Sequence, residues 1–180
     1  MTKKLQNKWN DKLASKMSEP ELLLYRSNLL GSDLRITNFG GGNTSAKIEM
    51  PDTLTGKNQN VLWVKGSGGD LGSMNLDGFS TLYMDKLNKL KELYRGLKYE
   101  DEMVDYLPHC TFNLNPRAAS IDTSLHAFIP NKHVDHTHPD AAIAVACMKN
   151  SKKMTKIIFG EDRAWIEWQR PGFDLGLKLE

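Results

Sequence analysis

Two glycine-rich turns flanking a strand-like pair are what most constrain the fold of this chain. Ala46-Lys47-Ile48-Glu49-Met50 alternates apolar and polar residues, Pro51 to Asn60 is polar, and Val61-Leu62-Trp63-Val64 is a dense apolar run. Two-residue periodicity with a polar turn between the runs predicts a β-hairpin. Phe39-Gly40-Gly41-Gly42-Asn43-Thr44-Ser45 enters the first strand, and Lys65-Gly66-Ser67-Gly68-Gly69-Asp70 leaves the second. Leu34 to Thr37 reads as a short strand ahead of the first turn, and Phe79 to Met84 as another beyond the second. The hairpin therefore sits in a sheet.

Helices surround these segments. Ser18-Glu19-Pro20-Glu21 is a capping-box pattern: the serine hydroxyl can accept an orphan backbone N–H and Glu21 can reach back. Proline is tolerated in that first turn, the apolar run from Leu22 to Leu30 follows, and Gly31 supplies a stop. A shorter helix is expected around Trp9, Leu13 and Met17. Met84, Leu87, Leu90 and Tyr94 predict a helix ending at Gly96, and Thr123 to Phe128 reads as another. Lys132 to His138 is strand-like, Pro139-Asp140 opens a helix through Met148, and Ala164 to Trp168 is a strand. Hairpins mixed with helices predict an α/β or α+β layered domain rather than a strict βαβ array. Residues 1–17 are expected to be a helical extension and residues 18–180 the domain.

Composition excludes several classes. With 180 residues and 39% apolar content the chain can build one core, not two comfortable ones. Its 24 basic and 22 acidic residues leave +2, which gives no electrostatic case for nucleic acid. No apolar window is long enough for a membrane span, and Met1 to Asn10 is too polar for a signal peptide. Cys110 and Cys147 form no disulfide framework and suit a reducing cytosol, so a cytoplasmic setting is expected.

His136-Thr137-His138 is the most specific chemical signal. Residues two apart on a strand share a face, so both imidazoles can converge on one ion, whereas His133 should face the other way. The bland alternative is ordinary surface or core histidines. A third ligand is undetermined: His126 lies one helical turn beyond Asp122, and both could line one pocket. Neither glycine turn fits a P-loop or a G-x-G-x-x-G fingerprint. Each alone is accounted for as a tight turn needing φ > 0. Two of them beside an H-x-H pair point instead to an anion cradle next to a metal, with Asn43, Thr44, Ser45 and Ser67 adding neutral donors. Asp122 reads locally as the N-cap of the following helix. Lys65 and Arg117 could meet phosphate, although lone basic residues are more often solvated. Trp63, Trp165 and Trp168 are expected in the core, and Cys147 on an apolar helix face.

Taken in order, these pieces resemble the class II aldolase/adducin family from about Glu21 onward. Gly42-Asn43-Thr44-Ser45 matches its G-N-x-S loop, and Gly66-Ser67-Gly68 its P-S-G loop. Ser120-Ile121-Asp122-Thr123-Ser124-Leu125-His126 is similar to S-S-E-x-x-x-H, and His136-Thr137-His138 to the metal-binding H-x-H. Tyr25 to Gly31, Asn38 to Ser45 and Gln169 to Phe173 resemble the aldolase part of bifunctional rhamnulose-1-phosphate aldolase/short-chain dehydrogenase proteins. The resemblance implies a three-layer α/β/α domain around a central, mostly antiparallel sheet. It implies Zn2+ (or another divalent metal) on His136 and His138, and Asp122 as the acid–base residue. Gly42, Asn43, Ser67, Gly68 and Ser120 would hold the phosphate of a small phosphorylated sugar. The implied reaction is retro-aldol cleavage of a ketose 1-phosphate, L-rhamnulose 1-phosphate giving dihydroxyacetone phosphate and L-lactaldehyde. A homotetramer is implied as well, with NAD entering only through a dehydrogenase part outside these residues.

Two departures stand out. Asp122 is one methylene shorter than the family's glutamate, and a displacement of about 1 Å in a catalytic group can cost about a hundredfold in rate. Ile121 replaces a serine donor. The family's third metal histidine lies further downstream, so the chain is expected to be C-terminally incomplete, a weak zinc binder and inactive alone. A sugar-phosphate 4-epimerase or dehydratase would share this apparatus, and an adducin-like interaction module would need none of it.

Overall fold

A computed structural model describes residues 4–113 and 117–180; Met1–Lys3, the start of the expected extension, lie outside the described residues. Its centre is a four-stranded sheet in the order β3-β2-β1-β4, formed by β1 (Asn43–Pro51), β2 (Asn58–Lys65), β3 (Phe79–Tyr83) and β4 (His133–His136). Every neighbouring pair is antiparallel. The expected hairpin is β1–β2, in which Ala46 pairs with Trp63 and Lys47 with Leu62.

The sheet separates two apolar cores, because adjacent side chains on a strand alternate between its faces. On one face Ala46 and Ile48 of β1 and Phe79 of β3 pack with Leu71, Met74 and Leu23, the last from α2 (Glu19–Gly31). On the other, Leu62, Val64 and Leu82 meet residues of α3 (Met84–Lys89), α4 (Glu100–Tyr106), α5 (Thr123–Phe128) and α8 (Phe173–Leu179). Helix, sheet, helix is the layered order expected. Outside it lie α1 (Asp11–Ala14), α6 (Asp140–Ala146) and α7 (Ser151–Phe159).

The entry to α2 is built as the capping pattern requires: Glu21 accepts from the Ser18 N–H at 2.8 Å and from the Ser18 hydroxyl at 2.6 Å. Gly31 closes this helix by close approach and not by a left-handed turn. A Cβ there would lie 2.1 Å from the Gly72 nitrogen. Side-chain freedom is given up so that α2 can press against the 71–72 backbone.

Four local expectations are corrected. Leu34–Ile36 forms a turn instead of a strand, held by the Ile36 N–H on the Asp33 carbonyl. Residues 164–168 are irregular, since no neighbouring strand supplies ladder bonds, and Trp168 is 91% exposed, not in the core. Cys147 is exposed at the end of α6. The helix starting at Met84 passes into a 3-10 turn at Leu90–Glu92, so it does not run on to Gly96.

α8 carries no local start signal, yet it forms. Its cap is tertiary: both carboxylate oxygens of buried Glu100 accept from the Asp174 N–H, at 3.2 and 3.3 Å. Glu100 also accepts from the Tyr94 hydroxyl at 3.0 Å. Phe173 then stacks edge-on against Phe128 with centroids 5.0 Å apart, and Gly176 lies against the Ser124–Leu125 backbone. Phe173 is 2% exposed, so truncating it removes the anchor that ties α8 to α5. Phe173→Ala is expected to cost about 3–5 kcal/mol, read as a lowered urea midpoint; a loss under about 1 kcal/mol would show that α8 contributes little to the core.

Candidate functional site

Register delivers the two histidines. β4 pairs with β1 so that Asn43 faces His136, Ser45 faces Val134 and Ala46 faces His133. Alternation then sends His133 and Asp135 toward α2, where Arg26 meets the Asp135 carboxylate at 3.0 Å and His133 Nδ1 at 3.0 Å. Val134 and His136 turn to the α5 side. His133 does face away from His136, as the odd spacing predicts.

His136 and His138 come together: their Nε2 atoms are 3.0 Å apart and their rings stand edge to face at 4.7 Å. Two nitrogens bound to one tetrahedral zinc at about 2.0–2.1 Å would be about 3.3 Å apart, so the pair fits two positions on such an ion. Among the described residues no group of three or more His, Cys, Asp or Glu side chains is arranged to hold a metal. Among the described residues, no third such side chain joins His136 and His138.

The first glycine turn lies directly against this pair. A Cβ on Gly41 would be 3.0 Å from His138 Nδ1, and one on Gly42 would be 2.7 Å from the His136 carbonyl oxygen. Gly42 also takes φ of +72°, a region side chains disfavour. Asn43, next along, is buried and donates from Nδ2 to the Lys65 carbonyl at 3.1 Å, which ties the first turn to the root of the second. In that second turn Ser67 and Gly68 are exposed, and the Ser67 N–H is held by the Ala118 carbonyl at 3.0 Å. It therefore reaches the segment leading to Ser120.

Ser120 is buried and its hydroxyl receives the Asp122 N–H at 3.2 Å. Asp122 occupies the N-cap position of α5, yet its side chain makes no capping bond. The carboxylate instead turns to His136, with Oδ2 3.8 Å from Nδ1. The local reading of Asp122 as a helix cap is corrected by this orientation. Ile121 is exposed and brings no donor. The structure thus gathers Gly42, Asn43, Ser120, Asp122, His136 and His138 around one end of the sheet, with Ser67 and Gly68 on the adjoining turn.

Lys65 is the residue sequence reasoning underrated. It is 2% exposed, and burial holds its ammonium below the usual lysine range while Asp122 and Asp70 oppose that shift. The signal was the apolar run before it: a strand dense enough to be buried carries its last residue inward too.

His126 is completely buried, its Nδ1 2.7 Å from the Ser45 hydroxyl, and its Nε2 has no partner among the described residues. Burial, then the nearby His136, pushes its pKa down to about 3. His136 is also lowered, first by burial, with Asp122 opposing. A histidine whose folded pKa lies below its unfolded value near 6.5 is bound by more protons when unfolded, so stability falls as pH drops below about 6.5. Between about pH 6.5 and the folded value, His126 is expected to remove up to about 1.4 kcal/mol per pH unit. Urea unfolding at about pH 7 and about pH 5.5 should show this slope, and His126→Gln should flatten it; an unchanged slope would contradict the burial assigned to this ring.

Comparison with known proteins is consistent along nearly the whole chain. Residues 21–179 match the family described as Class II Aldolase and Adducin N-terminal domain. The Bacillus subtilis (strain 168) protein named "Uncharacterized oxidoreductase YuxG" is 45% identical over 168 residues, which cover 93% of this chain. The chain spans 24% of that relative's length. A solved structure of the N-terminal class II aldolase domain of a conserved protein from Thermoplasma acidophilum superposes with a TM-score of 0.85 at 32% identity, over 98% of this chain and 79% of that one. The antiparallel sheet between two helical layers, the paired histidines and the match over residues 21–179 lead to one conclusion: the chain belongs to the class II aldolase and adducin N-terminal domain family.

Proposed function

We propose that this domain carries the metal and substrate residues for metal-dependent retro-aldol cleavage of a ketose 1-phosphate, with L-rhamnulose 1-phosphate the leading candidate, and that residues 1–180 alone, with two histidine ligands, turn over little of it. The observation that supports it most is the convergence of His136 and His138, Nε2 to Nε2 at 3.0 Å, beside a glycine turn that leaves no room for a side chain. A cation there would sit next to a loop able to accept a negative group. That the chain spans 24% of a relative named an oxidoreductase supports placing it as the aldolase part of a longer bifunctional protein.

His136 and His138 would hold the metal, with zinc the proposed ion. When bound, it would supply Lewis acidity to the enediolate left as the carbon–carbon bond breaks. The chain's own residues do the rest. Exposed Ser67 and Gly68 offer a hydroxyl and a backbone N–H to the sugar phosphate. Asn43 keeps one amide hydrogen beyond the one committed to Lys65, and buried Ser120 offers its hydroxyl. Asp122 is the proton-holding group: its carboxylate takes the proton of the hydroxyl whose carbon becomes the aldehyde and can return one to the three-carbon fragment. Its shorter reach predicts slower turnover than a glutamate would give.

Isothermal titration of residues 1–180 with Zn2+ tests the metal reading. His136→Ala should weaken binding by at least about a hundredfold, whereas His133→Ala, on the α2 face, should change it by less than about threefold. Equal losses would contradict the strand geometry, and absence of binding by the unaltered protein would favour a non-catalytic interaction module. Assay for dihydroxyacetone phosphate after incubation with L-rhamnulose 1-phosphate separates the chemistries, since neither epimerisation nor dehydration releases it.

A further inference from the structure

We infer that Asp122 is a positioning residue for His136, fixing the imidazole as the Nδ1–H form so that its Nε2 lone pair points at His138. This rests on the metal reading above and adds to it a role for Asp122 that precedes any substrate.

Three observations carry the inference. His136 Nδ1 is buried and has no hydrogen-bond partner among the described residues, one of only two such side-chain atoms there. Buried polar nitrogens are ordinarily satisfied, so one left facing a specific group signals what that group does. The group is the Asp122 carboxylate, 3.8 Å away, too long for a hydrogen bond but within ion-pair range. Second, Asp122 sits where an aspartate normally caps a helix, and its side chain makes no capping bond to α5. The Ser120 hydroxyl accepts the Asp122 N–H at 3.2 Å and donates to Asp122 Oδ2 at 3.4 Å, which holds that oxygen on the side of the histidine. Third, Nε2, the other nitrogen of His136, is already committed to the face shared with His138.

Electrostatics selects between the two neutral forms. With the hydrogen on Nδ1, a positive N–H dipole faces the carboxylate. With the hydrogen on Nε2, a lone pair faces it and a hydrogen blocks the side where the two rings meet. A carboxylate behind a ligating imidazole is a common outer-shell device that fixes its tautomer and orientation. Buried Lys65 belongs to the same charge cluster and keeps Asp122 from being an isolated charge.

The test is long-range 1H–15N correlation of histidine-labelled residues 1–180, metal-free and at a pH where His136 is neutral, for the unaltered protein, Asp122→Ala and Asp122→Glu. The expected result is the Nδ1–H form in the unaltered protein, conversion toward Nε2–H in Asp122→Ala, and return of Nδ1–H in Asp122→Glu. A protein already in the Nε2–H form, or an Asp122→Ala spectrum still showing only Nδ1–H, would overturn the inference. If Asp122→Ala fails to fold by circular dichroism, Asp122→Leu, which fills the space and carries no acceptor, is judged by the same criterion. Co2+ titration in parallel should show a drop of about ten- to a hundredfold in Asp122→Ala. A tautomer that follows Asp122 in a protein that binds no Co2+ leaves the positioning role standing and sinks the metal reading. The converse, tight Co2+ binding with an unchanged tautomer, does the opposite.

Discussion

The pairing of β4 with β1 is the constraint on which the site depends. Because side chains alternate along a strand, a slip of one residue would send His136 to the α2 face and bring Asp135 beneath α5. The register is pinned from both sides. On the α2 face Arg26 contacts Asp135, His133 and the Ser45 carbonyl, the last at 2.8 Å. On the other face the Ser45 hydroxyl meets His126. A single guanidinium thus spans both strands, and a buried hydroxyl–imidazole bond ties the same place on β1 to α5. Only in this register does the turn at Gly41–Gly42 come against His136 and His138.

Polar groups are buried at this end of the sheet, and that density has a structural cost that must be offset. Thr44 answers Ser27 at 2.6 Å, Asn43 answers the Lys65 carbonyl, and Thr123 answers the Ser120 carbonyl at 2.6 Å. Such networks rigidify when they are satisfied and cost stability when they are not. The two buried side-chain nitrogens left over among the described residues, His126 Nε2 and His136 Nδ1, lie where the satisfied network meets the histidine pair. Among the described residues, incomplete satisfaction of buried side chains is thereby confined to the surroundings of the histidine pair, while the apolar cores on each face of the sheet carry the stability.

Much of this was legible in the sequence because local rules and tertiary outcome agree there. The alternation in Ala46–Met50 and the apolar run Val61–Val64 gave the hairpin, the Ser18 capping pattern gave α2, and the odd spacing of His133 from His136 gave their opposite faces. What was not legible depended on distant partners. α8 has its cap from Glu100, some seventy residues earlier in the chain, so nothing near Phe173 announced a helix. Leu34–Ile36 has strand-like composition but no strand to pair with. Asp122 looked like a cap because aspartate before a helix usually is one; its orientation toward His136 depends on β4, which lies in another part of the sequence. Lys65 looked solvated as a lone cation, and only the strand's burial shows otherwise.

Charge state ties these features into one design. Burial disfavours the imidazolium form of both His126 and His136, so it works against further positive charge beside Lys65. Beside Lys65 stand the Asp122 and Asp70 carboxylates and the Arg117 guanidinium, so the cluster carries opposed charges instead of an excess of either sign. On the reading proposed above, such a cluster would accept a divalent cation and an anionic group together, since each arriving charge would offset the other. A site of neutral imidazoles alone would favour the cation but leave the anion to the turn's backbone N–H groups, and a site of lysines alone would repel the metal. On the proposed reading, imidazoles disfavoured as cations beside charges of both signs would let this end of the sheet serve both the metal and the phosphate of a sugar.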